Sequence, residues 1–432
     1  MSSGKIAPGA GLVAVIGAGL VGLACARRLQ RDGFDVALFD PGKPGAGASY
    51  GNAGLIAGSA VIPEASMETL CKLPGLLFGS TGPLSLKPSY LPRMAPFLWH
   101  FAKACRISQF DRISRAMAGL SLVGFDHWMT LLDDLPDARA LFQRNGCLYI
   151  YLTDAERRAA EAHNEVRRAR GMSLTDLSAS EVANLVPSLA RPVAGAMLAH
   201  EAGHVLGPGA LSQALFDRFM ADGGQFINAP VSEIIKSGNR VSQLRTASGQ
   251  TYEVGHVVLA AGAHSSGLAA QLNCGAPIVG HRGYHLMIAQ PGVETQLPML
   301  VPALGIAVTP MQSGLRFAGL VEFADFDAPP SEKLFHQIQT AAKRLFPQLQ
   351  VGASDRWMGC RPSLPDGVPI LDRAPGLSNA LLAFGHGQMG LTQAAVSGHV
   401  ISDLMLGKPP RVDITPYGAD RFSRHRSVAD VA

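Results

Sequence analysis

Three glycines near the start of the chain are spaced for chemistry: Gly17-Ala18-Gly19-Leu20-Val21-Gly22. The pattern is G-x-G-x-x-G. Before it lies an apolar run, LVAVI at 12–16, that reads as a buried parallel strand. After it comes LACARRLQRDG, which reads as a helix ending at Gly33. A second run, DVALF at 35–39, ends at Asp40, 23 residues beyond Gly17. In such a unit Gly17 permits the tight turn, Gly19 lets backbone approach a pyrophosphate, and Gly22 lets helix and strand pack closely. The helix start, with Leu20 and Val21, turns free N–H groups and a partial positive charge toward phosphate. Asp40 stands where it can accept hydrogen bonds from ribose hydroxyls. A glycine-rich turn without a ligand has the same local shape, but here spacing and both flanks agree on a dinucleotide.

The turn alone does not separate a flavin from a nicotinamide dinucleotide. A nicotinamide domain would run on into further regular βα units. Here a loop of small residues follows instead, GAGASYGNAGLIAG at 45–58. Further on, three segments have the composition of a second and third visit to the same unit. They are a helical stretch from 208 to 222, the apolar strand HVVLAAGA at 256–263, and the strand ALLAFGHG with a helix from about Leu391.

Four segments together resemble the D-amino acid oxidase superfamily of flavoproteins, and within it the small bacterial D-amino acid dehydrogenases. They are VAVIGAGLVGLACARRLQRDGFDVALFD, SYGNAG at 49–54, VVLAAGAHS at 257–265, and the C-terminal pair RWMGCRPSLPDGVPIL and GHGQMGLTQAAVSG. The proline-rich stretch at 77–98 is similar to an insert of the dehydrogenase subgroup. The resemblance implies non-covalent FAD. It sets Ser49, Asn52, Ala53 and Gly54 along the flavin ring, Val231 near the adenine, and Ala261 and Gly262 in the nucleotide site. It sets Gly385, Gly387, Gly390, Leu391 and Thr392 around the pyrimidine edge, where a helix N-terminus would stabilise developing negative charge.

The resemblance also gives Arg361 the substrate carboxylate. Arginine is the side chain best shaped to grip a carboxylate through two parallel hydrogen bonds. An ion pair with Asp366 is the alternative. Tyr284 is expected over the flavin, bonding the substrate; a core ring with a rim hydroxyl is the alternative. His285 reads as structural. Two departures narrow the activity. Gln388 stands where glycine oxidases carry an arginine. Cys360 is not at the position that tethers FAD in sarcosine oxidases.

These residues need elements to hold them. The 432-residue chain is 47% hydrophobic and 16% charged, enough for a sizeable core and two or three structural units. The expected fold is α/β plus α+β, a Rossmann-type FAD-binding domain interleaved with an antiparallel-sheet substrate domain. The FAD domain takes 1–58, 200–270 and 357–432, and the substrate domain takes 59–199 and 271–356. A net charge of +4 gives little support to nucleic-acid binding. Six scattered cysteines fit buried thiols in a reducing cytoplasm rather than disulfides or a metal site. No apolar run reaches the ~18–20 residues of a membrane span.

The expected reaction is hydride transfer from a D-amino acid to the flavin, giving an imino acid that hydrolyses in water. D-proline or a hydroxy-D-proline fits this scheme, with a quinone or another acceptor taking the electrons. A glycine- or sarcosine-type oxidase producing hydrogen peroxide is one alternative, and a non-catalytic flavin-binding subunit of a larger complex is another. If electrons go to quinone, the 73–101 insert is expected at the inner face of the cell membrane.

Overall fold

The computed structural model describes residues 11–71, 84–190, 192–352 and 354–422. Two sheets carry the architecture. The first strand, β1 (Val13–Ile16), is buried over its whole length, as its apolar run requires. It pairs in parallel with β2 (Val36–Phe39) on one side and with His256–Leu259 on the other. Gln225–Ile227 extends the sheet beyond β2. Ala380–Phe384 extends it in parallel beyond His256–Leu259, and Ile370–Arg373 closes it antiparallel. Chain segments more than 200 residues apart thus complete one six-stranded sheet. The crevice above β1, where the chain leaves in both directions, is the standard ligand position in such sheets.

Helix α1 (Leu20–Arg31) connects β1 to β2 and buries Leu23, Ala24, Ala26 and Leu29. It packs along the last long helix, Gly390–Met405. The approach is close: a Cβ on Gly398 would lie 2.7 Å from the Ala24 carbonyl oxygen.

The second sheet is nine-stranded. Its strand Val279–Ile288 lies between Ser354–Ser363 and Gly314–Phe323, antiparallel to both. Most of its pairings are antiparallel, with two parallel joints at Met299–Val301 and at Leu84–Leu86. The helix Glu332–Leu345 covers one face, packing Phe335, Ile338 and Leu345 with Tyr284, Leu286 and Ile288. Side chains alternate faces along a strand. Gly283 and His285 therefore point the other way, toward the nucleotide-binding unit.

The interleaving follows the expectation, and two details differ from it. The strand Ser354–Ser363 runs through the expected junction at 357, because its whole length pairs with Val279–Ile288. Residues from Ala104 to Phe142 share a core with α1 and the last helix rather than with the second sheet, through Ile113, Leu120, Trp128 and Leu131. Their helices carry an apolar face that fits either neighbour, so composition alone does not assign them.

Candidate active site

At the glycine-rich turn the three glycines do different work. Gly17 has φ +107°, and a Cβ there would lie 2.4 Å from the Ala260 carbonyl oxygen. A Cβ on Gly22 would lie 1.9 Å from the Gly17 carbonyl oxygen. Both positions exclude any side chain. At Gly19 a Cβ would meet only Ser49 Oγ, at 3.2 Å, so this side of the turn is open to an approaching group. Ala261 lies against Gly17, and Gly262 next to it has no neighbour where a Cβ would point. Turn, strand end and Gly262 therefore form one open shelf.

Asp40 is turned inward. Its Oδ2 accepts from the Ala18 N–H at 2.8 Å and its Oδ1 from the Gly42 N–H at 2.8 Å. It braces the turn, and each oxygen keeps a second lone pair. Val231 opens the strand Val231–Ser237, four residues after the end of the parallel strand Gln225–Ile227 beside β2. Ser49 sits against the glycine-rich turn: its Oγ accepts from the Leu20 N–H at 2.9 Å. Asn52 folds back on its own loop, donating to the Ser49 carbonyl and accepting from the Gly54 N–H, both at 2.7 Å.

The second sheet grips that loop by its carbonyl oxygens. Arg316 donates to Asn52 O at 2.7 Å and to Tyr50 O at 3.2 Å. Thr309 donates to Ala53 O at 2.7 Å. His285 Nδ1 lies 2.9 Å from Gly51 O, a bond in which the imidazole N–H donates. The His285 ring stacks on Trp357, which lies where a Gly51 Cβ would be. Burial presses Arg316 down to about 10 and His285 to about 4. The histidine is therefore neutral at physiological pH and holds the loop as a dipole. His285 is structural, as read; Arg316, Thr309 and Trp357 were not singled out. Their signal was a charged, a hydroxyl and an aromatic residue on the inward positions of strands facing another domain.

The C-terminal group arrives from another direction. Gly385 and Gly387 both have positive φ in the turn between Ala380–Phe384 and the last helix. That helix starts at Gly390 with no side-chain cap. The first N–H groups of the helix, at Gly390, Leu391 and Thr392, are thus available to an acceptor outside the helix. Thr392 Oγ1 accepts from the Ala57 N–H at 3.0 Å, tying this terminus to the segment that follows the 49–54 loop.

Arg361 lies across the inward face of the sheet. A Cβ on Gly283 would be 2.3 Å from its Nη2, so only glycine leaves room for the guanidinium there. The alternative pairing with Asp366 does not occur: Asp366 pairs with Arg421, at 2.9 Å. Among the described residues Arg361 has no hydrogen-bond or ion-pair partner. It is half-buried, and desolvation lowers its pKa against the opposing field of Glu64. A guanidinium that is desolvated yet unpaired is prepared for an anion.

Tyr284 is not brought to this side. It is 1% exposed, on the helix-covered face, with its ring edge-on to Phe335. Its hydroxyl donates to Glu322 at 2.5 Å and accepts from the Ser331 N–H at 3.1 Å. Glu322 also pairs with the fully buried Arg282 at 2.9 Å. Tyr284 follows Gly283 directly, so the strand's alternation turns it away from Arg361. Its expected role over the flavin is corrected to one in the core. Cys360 is turned from Arg361 by the same rule, with Arg282 and Glu322 in its electrostatic surroundings.

Residues 13–404 match the family described as FAD dependent oxidoreductase (DAO), and the chain belongs to it. It is 32% identical over 421 residues to a D-amino-acid oxidase of Bradyrhizobium diazoefficiens, covering 95% of this chain and 98% of that protein. It is 30% identical to D-amino acid dehydrogenase 2 of Ralstonia nicotianae, covering 95% and 100%. Its fold matches a glycine oxidase from Geobacillus kaustophilus with a TM-score of 0.74 at 22% identity, covering 96% and 100%. FAD is the cofactor. The residues fit it: an open face at Gly19 and Gly262, and a second helix terminus, at Gly390, without a cap of its own.

A Gly19→Val variant is expected to fold and to lose most of its flavin, because the side chain would project into the open face. Far-UV circular dichroism and visible absorbance of the purified protein check this. A folded variant with the parent's flavin absorbance would remove the turn from the cofactor site.

Proposed function

We propose that the protein is an FAD-dependent D-amino acid dehydrogenase, oxidising a D-amino acid to its imino acid and passing the electrons to a quinone or another acceptor. The observation that carries this reading is Arg361, an unpaired guanidinium lying over Gly283 on the inward face of the second sheet. The names of the relatives support the substrate class. D-Proline or a hydroxy-D-proline is the substrate type we favour within it.

In this reading the shelf at Gly17–Gly22, Ala261 and Gly262 holds the nucleotide half of FAD. Ala53, Gly54 and the helix start at Gly390, Leu391 and Thr392 hold the ring. Bound FAD supplies the two-electron redox chemistry. The chain supplies position. Arg361 would fix the carboxylate with two parallel hydrogen bonds and so orient the α C–H toward the ring. The sheet behind Gly283 excludes water from that side. The amine lone pair assists loss of hydride from the α-carbon, and water hydrolyses the released imino acid.

A second reading, an oxidase producing hydrogen peroxide, is favoured by the name of the Bradyrhizobium relative. It differs only in the electron acceptor, and peroxide formed in proportion to substrate would distinguish it.

The quinone reading extends to a membrane surface. Residues 73–83 of the 73–101 insert lie outside the described residues. The helix Leu91–Ala104 exposes Leu91 and Trp99, with Lys103 at 4.7 Å from the centre of the Trp99 ring, and Ile107 follows, exposed. An apolar ridge beside a cation suits the headgroup boundary. Among the described residues no helix is long and apolar enough to cross a membrane. Replacing Leu91, Trp99 and Ile107 by Ala is expected to cut co-sedimentation with anionic liposomes several-fold, and equal partitioning of variant and parent would reject the contact.

Arg361→Lys keeps the charge and loses the planar fork. Loss of one charge-assisted hydrogen bond costs about 1.5–3 kcal/mol, so kcat/KM for the best D-amino acid is expected to fall roughly 10- to 150-fold. Arg361→Ala should lose more, and both should keep their flavin. Parent-level activity in a flavin-loaded Arg361→Ala protein would refute the carboxylate anchor.

A further inference from the structure

An amino acid reaches the site as a zwitterion, and its ammonium nitrogen has no lone pair. The α-carbon cannot release hydride until that nitrogen is neutral. The base that takes the proton has to act near the group that holds the carboxylate, since the two functions sit on one carbon. The histidines around Arg361 are poor bases for this. His281 is packed against Phe97 and Phe323, and burial beside Arg361 pushes it down to about 3. His386 is also pushed to about 3 and its Nε2 is engaged with Ser397. His285 is committed to the Gly51 carbonyl. Asp366 is paired with Arg421.

Among the described residues one further carboxylate acts on Arg361. It is Glu64, which lies by the turn at 386–388, and that turn bridges through His386 to Ser363, two residues along the strand from Arg361. Its Oε1 accepts a hydrogen bond from the Gln388 amide, in the turn that leads into the last helix. Its Oε2 has no partner among the described residues. Glu64 is exposed, and desolvation raises its carboxyl above the usual carboxylate range.

We propose that Glu64, oriented by Gln388 beside Arg361, accepts the proton that the substrate α-ammonium sheds before oxidation. The inference rests on Arg361 as the carboxylate anchor. One ammonium N–H bond breaks, its electron pair stays on nitrogen, and the proton forms an O–H bond at Glu64. The α C–H then breaks with both electrons leaving as hydride to the flavin, while the nitrogen pair forms the C=N bond of the iminium. Gln388 acts through Glu64 and is a positioning residue. Arg361 is the charged group facing Glu64, with His281, neutral, beside that arginine.

The pH dependence follows in sign. A protonated Glu64 cannot accept a proton, so kcat/KM falls as pH falls through its pKa, which lies above the ordinary carboxylate range. Glu64→Gln keeps the shape and an acceptor for Gln388. In the full-length holoprotein, with the faster of D-alanine and D-proline as substrate, kcat/KM at neutral pH should fall roughly 100-fold. The deficit should shrink to a few-fold as pH approaches the pKa of the substrate amine, where solution supplies the neutral form. Gln388→Leu removes a hydrogen bond that lowers the Glu64 pKa, so its acid limb should move to higher pH.

Propanoate, an amine-free carboxylate, separates this inference from the one beneath it. Its binding, read from the flavin visible spectrum, should persist and tighten in Glu64→Gln and be lost in Arg361→Ala. Propanoate binding that ignores Arg361, or no oxidation of either amino acid by the parent, would remove the anchor reading and the base with it. A parent-like rate and pH profile in Glu64→Gln would overturn Glu64 as the base while leaving the anchor standing. Loss of flavin or of propanoate binding in Glu64→Gln would assign it a structural role instead.

Discussion

The arrangement depends on one set of hydrogen bonds: the grip of the second sheet on the carbonyl oxygens of residues 50–53. Arg316, Thr309 and the neutral His285 reach across from three neighbouring strands to a loop of the nucleotide-binding unit. A carbonyl held by a buried donor is costly to release, since both groups would be left unpaired. The loop is thereby fixed to the same sheet that carries Arg361. The far end of the loop is fixed to α1 through Ser49, and the following segment is fixed to the last helix through Thr392. The glycine-rich turn, the loop and Arg361 thus have one rigid relation. The hydride transfer proposed for this site needs such a relation, because a displacement of about 1 Å at a reacting carbon can cost 100-fold in rate.

The two faces of the second sheet divide the labour. Tyr284, Glu322 and Arg282 form a buried polar group on the helix-covered face, and it closes on itself through Ser331 and the carbonyls of Ala328 and Pro329. Arg361 on the opposite face is left unpaired by protein. A single strand, Val279–Ile288, contributes to both sides: Tyr284 to the closed group, Gly283 and His285 to the open one. A one-residue slip of its register would exchange them.

The nucleotide-binding unit was legible in the sequence because its requirements are local. A buried strand, three glycines at fixed spacing and a helix occupy consecutive residues; Gly17 and Gly22 meet steric limits there, and Gly19 leaves the open face. Arg361 stood out as a candidate through its motif, and its alternative partner, Asp366, was removed only by the fold, which pairs that residue with an arginine 55 positions later. Tyr284 was misread because a lone aromatic on a strand does not declare its face, and the bulge between Arg282 and Tyr284 blurs the alternation further. Glu64 carried no signal among its neighbours Ile62, Pro63 and Ala65. Its meaning comes from Gln388, 324 residues away. The grip on residues 50–53 was hidden for the same reason: one partner is backbone, which has no residue type to read.

Oxidation of D-amino acids at the flavin, as proposed, is read from the visible spectrum of the purified protein during anaerobic titration with matched D- and L-amino acids. D-Amino acids, D-proline among them, should bleach the flavin absorbance while their L-enantiomers leave it unchanged. Bleaching by the L-series instead, or by neither series, would contradict the proposal.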